Sequence, residues 1–264
     1  MNNPCHAPTI VAGSRPHIEV RDLTMAFGEF VLQRDLNFEI PRGSIFVIMG
    51  GSGCGKSTLL RHILGLLEPA KGSVLLDDSE ITGLDAEARE AIMRRFGVLY
   101  QSGALWSSMT LAENISLPLE EYTDLGPSEI REIAALKLAM VGLRGFEDYY
   151  PSEVSGGMQK RAGLARAIAL DPEILCIDEP SAGLDPISSR RLDDLILELR
   201  DSMDTTVVMV THELPSIYAI GTDSIFLDAE TRTMIASGPP VWMRDNCDHP
   251  TVRTFMTRGE EEDG

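Results

Sequence analysis

Residues Gly50, Gly51, Ser52, Gly53, Cys54, Gly55, Lys56 and Ser57 fit the pattern G-x-x-x-x-G-K-S/T, and Thr58 follows directly. No other feature restricts the fold of this chain as tightly, because the pattern has meaning only between a strand and a helix. Both are predicted. Ser44 to Met49 is almost continuously apolar, as expected of a strand covered on both faces in a parallel sheet. Lys56 to Leu67 places Leu59, Leu60, Ile63, Leu64 and Leu67 on one helical stripe before Pro69 stops it. Glycines let successive backbone N–H groups turn inward around phosphate oxygens, and the following helix points its positive end at them. Lys56 offers a charge to the β- and γ-phosphates, and the Ser57 hydroxyl offers a ligand to Mg²⁺. A mere glycine-rich turn would not need both flanking elements.

The rest of the composition narrows the partners. Lys and Arg number 23 against 41 acidic residues, a net charge of -18, so a phosphate backbone would be repelled and nucleic acid is excluded as a partner. The acidic end Glu260 to Asp263 reads as a solvated tail. Cys5, Cys54, Cys176 and Cys247 are scattered, with no C-x-x-C pair to suggest zinc or a redox dithiol, which fits a reducing cytosol. The first sixteen residues lack the charge and apolar run of a secretion signal and read as a flexible N-terminus, 1–16. No apolar run approaches the length of a membrane span, so any membrane contact is indirect.

Along the chain, His17 to Leu23 and Phe30 to Ile40 alternate in the period of half-buried strands, predicting an antiparallel sheet that ends at the turn Pro41, Arg42, Gly43. From Leu111 to Gly145 the pattern turns helical, predicting an inserted lobe over about 102–160. A helix after Ser155 carries Leu164, Ile168 and Leu170; Ile174 to Ile177 and Thr206 to Val210 are apolar strands; Asp223 to Leu227 and Thr233 to Ser237 read as edge strands. The expectation is an α/β core over 17–240 with an antiparallel β subdomain and a helical insertion, then a C-terminal extension over 241–264.

Two further clusters carry chemistry. Asp178 and Glu179 end the strand Ile174 to Ile177, where open α/β sheets bind ligands. Asp178 suits Mg²⁺, a hard cation that takes one or two carboxylates, which leaves Glu179 to orient and deprotonate an attacking water. A bare Asp-Glu pair is more often a solvated turn; the phosphate loop elsewhere in the chain favours function. Ser155, Gly156 and Gly157 open a second helix with a second set of N–H donors. Either one protomer holds two anions, or two protomers pair, one giving the loop and the other this helix.

The motifs GGSGCGKST, Gln101, VSGGMQKR, ILCIDEP, SAGLDP and Val210-Thr211-His212, in that order, resemble the nucleotide-binding subunit of an ATP-binding-cassette transporter. The resemblance covers roughly residues 17 to 240 and implies a P-loop NTPase (RecA-like) core. It implies that Phe27 stacks on adenine in place of the usual tyrosine, and that Gln101 links Mg²⁺ and water to the membrane partner. By the same resemblance Asp185 lies in the loop crossing a dimer of two copies and His212 contacts the γ-phosphate. The signature core Ser155, Gly156, Gly157 is intact, with Val154 in place of leucine and Met158 in place of glutamine. The plain alternatives are Phe27 in the core, Gln101 as an ordinary loop polar residue and His212 as a surface cap. Tyr100 to Leu105, Asn114 to Leu119, Val141-Gly142-Leu143 and SGGMQKR are similar to the ATPases of Mce-type lipid transporters, the group that includes the Mla phospholipid system and toluene-tolerance exporters.

That resemblance implies ATP hydrolysis between two copies, on the cytoplasmic side of the inner membrane and peripheral to it. The implied partners are a transmembrane permease, an Mce-domain lipid-binding protein and a small regulatory subunit. Leu105, Trp106 and Met109 would meet the permease, or else pack within the helical lobe. The alternative within the superfamily is the ATPase of an amino-acid type importer. A soluble DNA-repair or translation factor is opposed by the charge of -18, and a non-enzymatic nucleotide binder is the remaining alternative.

Overall fold

A computed structural model describes residues 5–7, 15–101 and 103–257. Its first half runs β1 (Cys5–His6), β2 (Pro16–Phe27), β3 (Phe30–Pro41), β4 (Ile45–Gly50), α1 (Lys56–Ile63), β5 (Lys71–Leu76), β6 (Ser79–Glu80), α2 (Ala86–Met93) and β7 (Phe96–Leu99). Then come α3 (Leu111–Tyr122), α4 (Pro127–Met140), a 3₁₀ turn (Pro151–Glu153), α5 (Gly156–Ala167), β8 (Ile174–Asp178) and α6 (Pro186–Met203). The chain closes with β9 (Thr206–Val210), α7 (Leu214–Ile220), β10 (Asp223–Asp228), β11 (Thr233–Ser237), α8 (Pro240–Asn246) and α9 (Pro250–Thr257). The acidic tail, Ser102 and most of 1–16 lie outside the described residues.

The chain divides into two compact units, Met1–Arg89 with Val208–Gly264, and Glu90–Val207. In the first, β10 pairs in parallel with β4, matching Leu227 to Gly50, and antiparallel with β11. A second sheet, in the order β3-β2-β5-β6, is antiparallel throughout. Every residue of β4 is buried, and α1 packs on β2 and β4, with its Leu59, Leu60 and Ile63 buried. Each such side chain taken from water contributes about 1.5–3 kcal/mol, which ties the start of α1 to the end of β4.

Three expectations change. Asp223 to Leu227 is no edge strand: β10 lies between β4 and β11, with Ile225, Phe226 and Leu227 fully covered. Nor is β11 an edge, because Cys5–His6, expected to be part of a flexible end, pairs with Ala236 and Ser237. The first helix ends at Ile63, well before Pro69. Leu66 donates to the Arg61 carbonyl at 2.9 Å and Gly65, at φ 66°, to that of His62 at 3.0 Å, so a left-handed glycine closes the helix.

In the second unit β7 and β8 pair in parallel, α5 packs on β7, and α3, α4 and α5 pack on one another. The expected lobe of about 102–160 falls inside this unit, which also holds β7, β8 and α6. Thr110 caps α3 through a reciprocal pair: its hydroxyl accepts from Glu113 N and Glu113 Oε2 accepts from Thr110 N. Strand β9, buried at every residue, has residues in both units.

Candidate functional site

In the first unit the phosphate loop is built by steric exclusion and one buried amide. Gly50 leaves β4 at φ 144°, and a Cβ there would stand 2.3 Å from the Leu227 carbonyl oxygen. Gly53 and Gly55 also take positive φ, 75° and 99°. Gly51, Ser52 and Gly53 are exposed, whereas the Cys54 side chain is buried behind the loop, so that residue can offer a ligand only its backbone. Burial pushes the Cys54 thiol pKa up, the nearby Lys56 opposing it. Lys56 folds over the turn, Nζ donating to the carbonyls of Gly50 at 2.9 Å and Gly51 at 3.0 Å.

Helix α1 starts with no side-chain cap at Gly55 and no acidic residue in its first turn. No acidic residue of its own first turn competes for the leading N–H groups, which suits a helix start that takes an anion. Ser57 is half-buried at this start. Gln33, invisible to motif reading, anchors the loop from behind: its Nε2 donates to the Cys54 carbonyl at 2.8 Å and the Asp228 carbonyl at 2.9 Å. It is wholly buried on β3, which only the structure reveals. Phe27, at the end of β2, is 58% exposed and so is not core. His212 is also exposed, with Nε2 3.5 Å from Glu213 Oε1.

In the second unit a cleft of about 530 Å³ is lined by Gln101, Gly156, Lys160, Asp178 and Ala182, among others. Strand β8 thus delivers Asp178 to the same surface as Gln101 and the start of α5. Ser155 caps α5, its hydroxyl accepting from Met158 N at 3.3 Å, while Gly156 and Gly157 carry no side chains over the helix end. The residue after β8, Glu179, takes φ 49°, a left-handed backbone rare for a residue with a Cβ and common at functional sites. Asp185 caps α6, accepting from Ile187 N and Ser188 N at 3.0 Å and from the Ser188 hydroxyl at 2.5 Å. Arg166 steadies the loop after Gln101 by donating to the carbonyls of Gly103 and Ala104.

Ser57 in the first unit and Asp178 in the second each offer an oxygen, the donor type that a hard cation such as Mg²⁺ takes. The sequence-derived residues thus fall into a phosphate-loop group with Phe27 and His212 in the first unit, and a group of Gln101, Ser155 to Gly157, Asp178, Glu179 and Asp185 in the second.

A family model described as ABC transporter matches residues 33–182, more than half of the chain. The chain belongs to the ABC transporter family. Among its ABC relatives, the probable ribonucleotide transport ATP-binding protein mkl of Mycobacterium leprae is 42% identical over 239 residues, covering 90% of this chain and 68% of that one. The intermembrane phospholipid transport system ATP-binding protein MlaF of Haemophilus influenzae is 41% identical over 221 residues, 84% of this chain and 83% of the relative. A solved dimeric structure of a post-hydrolysis state of the ATP-binding cassette MJ0796, bound to ADP and Pi, superposes with a TM-score of 0.73 at 31% identity, covering 81% of this chain and 96% of that one.

Proposed function

We propose that this chain is the ATP-hydrolysing subunit of an ABC transporter that moves phospholipid between membranes. The observation that carries the hydrolytic part is Glu179, the second carboxylate at the end of β8, held at φ 49°; the glycine loop before α1, a helix with no side-chain cap, supports it. The loop amides and Lys56 hold the β- and γ-phosphates, and Phe27, exposed at a strand end, stacks on adenine. Glu179 takes a proton from water as the water oxygen bonds to the γ-phosphorus; the bond to the bridging oxygen breaks, and ADP and phosphate leave. His212 and Lys56 stabilise the transferred phosphoryl group. Ser57, Asp178 and Gln101 would hold Mg²⁺, which supplies charge neutralisation at the phosphate oxygens.

Two copies close around two ATP molecules, each between one copy's loop and the other's Ser155, Gly156 and Gly157; Asp185 lies where the copies cross. The dimeric ADP-bound cassette MJ0796 supports this arrangement. Loss of the γ-phosphate opens the clamp and drives a permease through the segment after Gln101, where Trp106 is 61% exposed. Among the described residues no helix is long and apolar enough to cross a membrane, which agrees with peripheral attachment at the cytoplasmic face of the inner membrane. An Mce-domain protein and a small regulatory subunit complete the proposed complex. The two relatives' names differ in cargo. The phospholipid relative is matched over 83% of its own length against 68% for the ribonucleotide relative, which supports the phospholipid reading over that one and over an amino-acid type importer.

Glu179→Gln is expected to cut steady-state phosphate release by about 100-fold or more while ATP binding stays within a few-fold. Near-wild-type turnover would remove Glu179 as the base. Co-purification from membranes with an Mce-domain protein and phospholipid is the expected companion result; recovery with a periplasmic amino-acid receptor would overturn the lipid reading.

A further inference from the structure

Lys160 lies on α5, little more than one turn beyond the Ser155 cap, and is only 7% exposed. An ammonium has three donors and no acceptor. Here Nζ donates to the carbonyls of Pro180 at 2.6 Å, Ala182 at 2.7 Å and Glu179 at 3.4 Å. All three acceptors belong to the four residues that follow β8. Desolvation pulls the Lys160 pKa down, with attraction to Glu179 opposing it. The cost of holding an amine at this depth is therefore offset by one short segment and by one carboxylate.

That segment needs holding. At φ 49° the Glu179 backbone is strained, and such a conformation persists only where its surroundings over-determine it. Gly156, Lys160, Asp178 and Ala182 all line the same cleft, so the tie lies at the chemical surface. We propose that Lys160 is a positioning residue that fixes the Glu179 backbone, and through it the aim of the carboxylate, to the helix that begins with Gly156 and Gly157. The inference rests on the reading of Glu179 as the base. A change at Lys160 then alters the chemical step and leaves ground-state ATP binding nearly untouched, because the nucleotide-holding lysine and loop belong to a different segment.

The test uses the full chain, with kcat and KM for ATP measured alongside the melting temperature for Lys160→Met, Lys160→Gln and Lys160→Arg, and for Glu179→Gln in parallel. Lys160→Met should lower kcat about tenfold or more, since small misplacements of a reacting group cost that much, with KM within about threefold. Lys160→Arg, which keeps charge and donors, should recover most of the loss. If the methionine variant does not fold, Lys160→Gln, which keeps donors and loses the charge, carries the comparison. Wild-type kcat in the Met or Gln variant, or a loss that tracks KM and melting temperature with no rescue by Arg, would overturn the proposal. An inactive Glu179→Gln beside a fully active Lys160→Met would overturn the positioning role alone; a fully active Glu179→Gln would overturn the base and the positioning together.

Discussion

At Gly50 the chain passes from a buried strand into the phosphate loop, and the backbone of β10 blocks any side chain there. A Cβ would meet Leu227 O at 2.3 Å and Cys54 Sγ at 2.7 Å, and φ is 144°. Neither contact can relax cheaply, because the carbonyl belongs to a strand paired on both sides and the thiol is wholly buried. Gly50→Ala should therefore destabilise the fold by about 2 kcal/mol or more. Gly51, one residue on, has nothing within 4 Å of the place a Cβ would take, and no positive φ. Gly51→Ala should shift stability by no more than about 0.5 kcal/mol. Denaturant midpoints of the two variants check the pair; equal losses would mean that the loop is sensitive to any added side chain and that the Leu227 contact is not the cause.

At the scale of elements, the residue expected to cross between copies has a local task as well. Asp185 caps the eighteen-residue helix α6. The Ser188 hydroxyl, then the backbone N–H groups of Ser188 and Ile187, hold its carboxyl below the ordinary value. The folded pKa is thus depressed, so the contribution to stability is present above the unfolded pKa and declines as pH falls toward the folded one. Asn caps as well as Asp but does not titrate. Asp185→Asn should lose its stability deficit relative to wild type as pH falls from about 4, the ordinary Asp range, toward the depressed folded value, measured as unfolding midpoints at neutral and acid pH. A deficit that does not change with pH would mean that the charge contributes nothing at this helix start. Elements like these differ in how far sequence exposes them. The strands β4, β8 and β9 are legible because an unbroken apolar run has few other uses. Strand β10 has the same run, but Asp223 and Asp228 at its ends suggest an edge; in the fold Asp228 is satisfied locally, accepting from Thr231 N and Oγ1 at 2.8 Å each. Motif residues such as Lys56 and Glu179 are legible because phosphate chemistry fixes their spacing. Gln33 and Lys160 are not, since each acts by donating to backbone carbonyls far away in sequence, and no local pattern encodes that.

For the whole molecule the governing quantity is charge. Each chain carries -18, and the proposed clamp requires two of them to meet around further negative charge on ATP. ATP contacts and buried area must outweigh that repulsion, and the balance depends on salt because the Debye length falls from about 30 Å at 0.01 M to about 8 Å at 0.15 M. Attractive pairs across an interface would weaken with salt, whereas repulsion between two strongly acidic bodies is relieved by it. With Glu179→Gln to prevent turnover and ATP saturating, the dimer dissociation constant should fall several-fold as ionic strength rises over this range. Analytical ultracentrifugation at fixed ATP reads it directly. If the dimer instead loosens as salt rises, specific charge pairs across the interface outweigh the net repulsion; if no ATP-dependent dimer forms at any salt, the second phosphate-binding helix start at Ser155 loses its explanation, and the clamp with it.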